Sequence, residues 1–208
     1  MRQFRALAFV PLLLCVAGKG FAAPITYDVT VDTSSIAGTA GSLDFNFNPG
    51  PLLTQDASIQ ILGFAGGLTG LPSQTGDVSG ALPSTLTFDN RTALNDSFQG
   101  VTYGSTLSFA VRLFGAALTS PNGATSGSTF AFSMFSDPSG TTPILTSDTT
   151  DGFAFLVNVN LDGTTTVSNF STATTVTPVS TVPLPASALL FGSGLAGLFG
   201  TRRRKHGS

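Results

Sequence analysis

Leu107-Ser108-Phe109-Ala110-Val111-Arg112-Leu113 decides how this chain folds. Every second residue is large and apolar, and the residues between are small or charged. A strand sends successive side chains to opposite faces, so this pattern predicts a strand with one buried face. The same alternation recurs in Ile25, Tyr27, Val29 and Val31, in Leu43, Phe45 and Phe47, in Phe130, Phe132 and Met134, and in Phe153, Phe155, Val157 and Val159. Weaker candidates occupy 57–64, 85–89, 98–103 and 164–170. Turn-forming residues punctuate them at Asn48-Pro49-Gly50-Pro51, Gly66-Gly67, Pro121-Asn122-Gly123, Asp137-Pro138 and Asp162-Gly163. No sustained helical periodicity interrupts residues 24–180. Nine or ten short strands therefore predict an all-β fold, a single jelly-roll-like β-sandwich over residues 23–170. Thirteen Phe residues in this region supply the filling between two sheets.

Composition agrees. Charged residues make up only 10% of the 208, Glu is absent and Lys occurs twice, so the charged faces of a helical protein cannot be built. The charges are also segregated. Arg2, Arg5 and Lys19 lie near the start, and Arg202, Arg203, Arg204 and Lys205 near the end. Between them stand all eleven Asp residues and only Arg91 and Arg112, a net charge of about −9. Nucleic acid is excluded as a partner, because phosphate neutralisation needs clustered cations.

Residues 1–22 read as a secretory signal peptide: Arg2 and Arg5, an apolar run from Ala6 to Ala17, then the small residues Gly20 and Ala22 around Phe21. Signal peptidase is expected to cut after Ala22, since a cut after Ala23 would leave Pro24 next to the bond. Cys15, the only cysteine, follows Leu14, whereas a lipid-attachment site needs a small residue there; it belongs to the apolar run.

At the other end, Val182-Pro183-Leu184-Pro185-Ala186 precedes a charge-free run, 186–201, which Arg202-Arg203-Arg204-Lys205 terminates. Sixteen helical residues rise about 24 Å, a marginal span of the roughly 30 Å hydrocarbon core. Pro183 and Pro185 prevent its extension backwards. The basic cluster favours the cytoplasmic side, so both ends place residues 23–181 across the inner membrane. Residues 171–181, rich in Thr, Ser, Val and Pro, read as a spacer, with a final edge strand as the alternative. A plain C-terminal anchor is the simplest account of this tail. A buried core helix is disfavoured by Gly192, Gly194, Gly197 and Gly200.

Val182-Pro183-Leu184-Pro185-Ala186-Ser187, the following Leu190-Phe191-Gly192-Ser193-Gly194-Leu195 and the basic cluster resemble the PEP-CTERM sorting signal of Gram-negative bacteria, in its VPLPA variant. The resemblance covers residues 182–205. It implies recognition by an exosortase, cleavage near Pro183-Leu184-Pro185 and transfer to the cell surface, with this chain as substrate. The stretches Tyr27 to Ser34, Gly41 to Phe45, Gly76 to Gly80 and Asn95 to Gly104 resemble uncharacterised proteins carrying the same signal.

Residues 23–205 hold no His, Cys or Glu, so nucleophilic triads and Cys/His zinc sites cannot be assembled. Lys is missing from the domain too, which removes Schiff-base chemistry. No catalytic residue is assigned, and a glycan-active enzyme using paired Asp residues is the least favoured reading. Calcium is the one cofactor weighed. Asn158-Val159-Asn160-Leu161-Asp162-Gly163 has the opening spacing of a calcium loop, but Asn169 stands where a bidentate Glu belongs, and a hairpin turn accounts for it better. Asp148, Asp151 and Asp162 remain candidates if they gather at one loop end. The expectation is an exported, non-catalytic surface or matrix protein. The alternative is a carbohydrate- or calcium-dependent module of an exopolysaccharide layer.

Overall fold

The alternating segments become strands, and their apolar sides meet between two sheets. A computed structural model describes residues 24–180. The signal peptide and its Ala22 junction, the motif Val182 to Ala186, the span 186–201 and the stop Arg202 to Lys205 all lie outside the described residues. Among those described, no helix is long and apolar enough to cross a membrane.

Twelve strands form: β1 (Ile25–Asp32), β2 (Ala40–Pro49), β3 (Ser58–Ala65), β4 (Gly67–Thr75), β5 (Val78–Gly80), β6 (Leu86–Asp89), β7 (Asp96–Thr102), β8 (Thr106–Phe114), β9 (Ser128–Phe135), β10 (Phe153–Val159), β11 (Thr165–Asn169) and β12 (Thr174–Val179). One short helix, α1 (Ala116–Thr119), follows β8. Sheet one runs β12-β1-β8-β3-β6-β5, and sheet two runs β11-β10-β9-β2-β7-β4. All strand pairs are antiparallel. The pairs β1·β8, β2·β7 and β3·β6 nest one inside the next, the wrapping of a jelly roll. β9 to β11 extend sheet two beyond β2, and β12 extends sheet one beyond β1.

The core is aromatic. Phe109 of sheet one packs against Phe45 and Phe132 of sheet two at centroid separations of 5.5 and 5.0 Å, and Phe45 lies 4.9 Å from Phe132. Phe155 continues the cluster 5.8 Å from Phe132. Edge-to-face and tilted arrangements suit the ring quadrupoles. Polar clamps tie the sheets at one end. The Asn90 amide donates to Ser128 Oγ (2.7 Å) and Gln55 O (2.9 Å), while its oxygen accepts Ala57 N–H (2.9 Å). Tyr27 OH and Thr165 Oγ1 lie 2.7 Å apart.

Four details differ from the sequence reading. The described residues form twelve strands rather than nine or ten. Residues 171–181 are not simply a spacer: Thr174–Val179 pairs with β1, so the folded domain continues past 170 to Val179. Gly66-Gly67 does separate two strands, but as a crossing between sheets: Gly67 opens β4 and carries the chain from sheet one to sheet two. Phe153 does not share the core face of Phe155, because a register shift between them turns Phe153 outward, opposite Ser133.

Candidate functional site

The strands of sheet two alternate between the core and an outer face, and that outer face carries the polar cleft of the domain. Leu43, Phe45 and Phe47 of β2 point inward, so Asp44, Asn46 and Asn48 point out. On β9, Thr129, Ala131 and Ser133 occupy the same face, directly across from Asn48, Asn46 and Asp44 respectively. Leu156 and Phe153 of β10 continue it, and Asp151 closes one side. The cleft has a volume of about 410 Å³.

Its floor holds two unusual groups. Asp44 Oδ1 and Ser133 Oγ are both shut off from solvent without a hydrogen-bond partner, and the two residues are cross-strand neighbours. Asp44 Oδ2 accepts the Asn46 amide at 2.7 Å. Asp96 of β7 pairs with Asn46, which makes it the diagonal neighbour of Asp44. Burial pushes the Asp44 carboxyl up to about 8, and the hydrogen bond and negative charge of Asp96 push in the same direction. At neutral pH the Asp44 carboxyl therefore keeps its proton, because burial and the neighbouring Asp96 both disfavour its charged form.

The sequence-derived calcium candidates do not converge. Asp148 and Asp151 precede β10 and Asp162 follows it, so a seven-residue strand, roughly 23 Å long, separates them. Each of the outer two is occupied locally. Asp148 Oδ1 accepts the N–H groups of Thr150 (3.1 Å) and Asp151 (3.3 Å). Asp162 Oδ1 accepts the hydroxyl (2.6 Å) and N–H (2.9 Å) of Thr164, which hold its carboxyl below the usual range. Asp162-Gly163 is the hairpin turn between β10 and β11, with Gly163 at φ 81°. Only Asp151 reaches the cleft. Among the described residues, no group of three or more acidic, His or Cys side chains is placed to hold a metal ion.

The two tyrosines, the side chains best suited to stack on a sugar, are buried: Tyr27 bridges the sheets, and the Tyr103 hydroxyl donates to Phe135 O at 2.8 Å. Sequence reading missed Asp44 and Asp96 as neighbours. The two residues are 52 positions apart in the chain, and only the β2·β7 pairing joins them.

No curated protein and no solved structure matches the chain. One family does: the PEP-CTERM protein-sorting motif matches residues 181–205. Such a signal implies export, processing by an exosortase and transient membrane anchoring before surface display. Two residues after the last strand of the sandwich, then, the chain carries a PEP-CTERM sorting signal.

Proposed function

We propose that this chain is a non-catalytic surface or matrix protein of a Gram-negative bacterium: its sandwich crosses the inner membrane behind a signal peptide, and an exosortase then removes the VPLPA-type tail and passes the domain to the cell surface. The observation carrying this reading is the junction. β12 ends at Val179 and the sorting match begins at 181, so cleavage near Pro183-Leu184-Pro185 would remove no residue of the folded domain. The catalytic repertoire supports the non-enzymatic part, since residues 23–181 offer no His, Cys, Glu or Lys. The test is the C-terminal mass of protein recovered from the native host's surface. Loss of everything beyond the Pro183-Leu184-Pro185 region is expected. A tail intact through Lys205 would sink the processing step and leave a membrane-anchored periplasmic domain.

The cleft favours a second reading, in which the displayed domain holds a neutral glycan. Asn46, Asn48 and Thr129 offer amide and hydroxyl groups, and Phe153 and Leu156 offer apolar contact for sugar C–H faces. No cation lines the cleft while Asp151 does, so an acidic polysaccharide would be disfavoured. Affinity electrophoresis of the full chain in detergent tests this. Gels containing neutral β-glucan or galactomannan should retard it, and Phe153→Ala, which removes apolar contact from the cleft wall, should reduce retardation several-fold. Retardation by alginate alone, or equal retardation of both proteins, would refute the assignment.

A further inference from the structure

The two ends of the described chain leave the sandwich together. Thr26 of β1 pairs with Val179 of β12, and Ile25 pairs with Leu113 at the end of β8. The same end of the sandwich collects five connections: the β2–β3 loop, the β4–β5 turn, the β6–β7 loop, the β8–β9 segment that carries α1, and the β10–β11 turn. Register fixes this. Ser58 at the start of β3 pairs with Phe114 at the end of β8, and Asp89 at the end of β6 pairs with Ser58. Pro49 and Val159, at the ends of β2 and β10, both pair with Ser128 at the start of β9. Asn90 and Thr165 then clamp sheet one to sheet two there.

This end is unlike the rest of the surface. Six large hydrophobic side chains are exposed among the described residues, and five of them lie here: Leu52 (65%), Leu53 (67%), Leu94 (52%), Leu161 (52%) and Val179 (41%). Leu71, in the middle of edge strand β4, is the exception. Both cations of the described residues also belong to this end. Arg91 is in the β6–β7 loop, and Arg112 pairs with Thr26 and lies over the Phe114 ring at 5.6 Å. Asp56, Asp77, Asp89, Asp96 and Asp162 also lie at this end, so its two arginines are set among acids.

An exposed apolar patch rimmed by polar residues marks a contact surface. The chain itself says what covers it. Only residues 180–185 separate Val179 from the charge-free run that begins at Ala186, and six extended residues reach at most about 20 Å. While the tail is in the bilayer, this end is held within that distance of the lipid.

We infer that the loop end carrying Leu52, Leu53, Leu94 and Leu161 is a membrane-contacting face, which seats the sandwich upright on the outer surface of the inner membrane until the tail is cut. The inference rests on the anchored stage of the proposed sorting route. Leucine side chains enter the interfacial region, Arg91 and Arg112 meet lipid phosphates, and the cleft of sheet two stays in water along the side of the sandwich. Once the tail is removed, a few interfacial leucines without a span give weak, reversible contact, so the domain is free to leave.

The full chain, reconstituted in vesicles of phosphatidylethanolamine and phosphatidylglycerol, tests this. Cys15 is first changed to Ala, and a single cysteine is then placed by Leu53→Cys, Leu161→Cys or Leu71→Cys and labelled with an environment-sensitive fluorophore. Spin-labelled lipids with the quencher near the headgroup should quench the first two at least threefold more than the third. Equal quenching at all three positions would overturn the upright seating, as would a blue-shifted but unquenched label at Leu53, which would mean that protein covers this end. A companion variant with Leu52→Ser and Leu53→Ser should lower quenching at 161 with an unchanged melting temperature. Seating is read from the uncut chain, so it can fail while tail removal on cells still occurs, and the reverse also holds.

Discussion

Phe45→Ala is expected to cost the domain about 3–5 kcal/mol, and to lower its melting temperature by about 10 °C. Phe45 is fully buried and touches the rings of Phe64, Phe109 and Phe132, so it joins both sheets at the centre of the core. Removing the ring loses its transfer energy and leaves a cavity that rigid sheets cannot close. Phe153→Ala is the proper comparison. It deletes the same atoms from a half-buried ring on the outer face, where Phe170 at 6.5 Å is its ring neighbour, and should cost about a third as much. Urea unfolding followed by circular dichroism measures both. Similar losses in the two variants would contradict the central placement of Phe45.

Asp44→Asn should act in the opposite direction, raising stability at pH 7 by about 2 kcal/mol. The Asp44 carboxyl titrates near 8 in the folded domain against 3.8 for an unperturbed group. Between those values the folded state holds a proton that the unfolded chain has released. Stability therefore falls as pH rises from about 4 to about 8, and is flat above. The full interval would amount to about 6 kcal/mol by linkage, and partial solvent access reduces it. The amide introduced by the substitution would never carry the charge, and its carbonyl still accepts the Asn46 amide. The gain should vanish near pH 4. Melting curves of both proteins from pH 4 to 9 provide the check, and a native profile that is flat between 5 and 8 would contradict the raised Asp44 carboxyl. Asp32, Asp137 and Asp162 oppose this trend only at lower pH. Hydrogen bonds from Ser34, Ser139 and Thr164 hold their carboxyls low, so their stabilisation is present above about 4 and lost as pH falls further.

Legibility in the sequence followed burial. Strands with one apolar face, such as Leu107 to Leu113, announced themselves by period two. β4 did not, because every residue of Gly67–Thr75 is exposed or half-exposed and Leu71 points wholly into solvent. β7 was faint for a different reason. Its inward positions include Ser97 and Gln99, and the Gln99 amide donates to Thr69 O and Gly70 O, each at 3.0 Å, where the β4·β7 register breaks. β12 looked like a linker because Thr174 is its one buried residue. The cleft was illegible altogether. Asp44, Asn46 and Asn48 read as ordinary outward polar positions until the order β10-β9-β2-β7 sets them beside Ser133 and Asp96. Strand order arises from contacts distant in sequence, which periodicity does not encode.

The pairing of β12 with β1 also has a mechanical side. Tension on a tethered domain enters at Val179, whose partner Thr26 is the first of six rungs, and the two strands run antiparallel. A pull across the strand at that corner loads the rungs one after another, like a zipper, rather than sharing the force among them. The attachment yields at low force, and what peels away is a single edge strand with one buried residue, leaving the aromatic core between the sheets intact. Drag on the displayed domain would thus be absorbed as added reach before it could become unfolding.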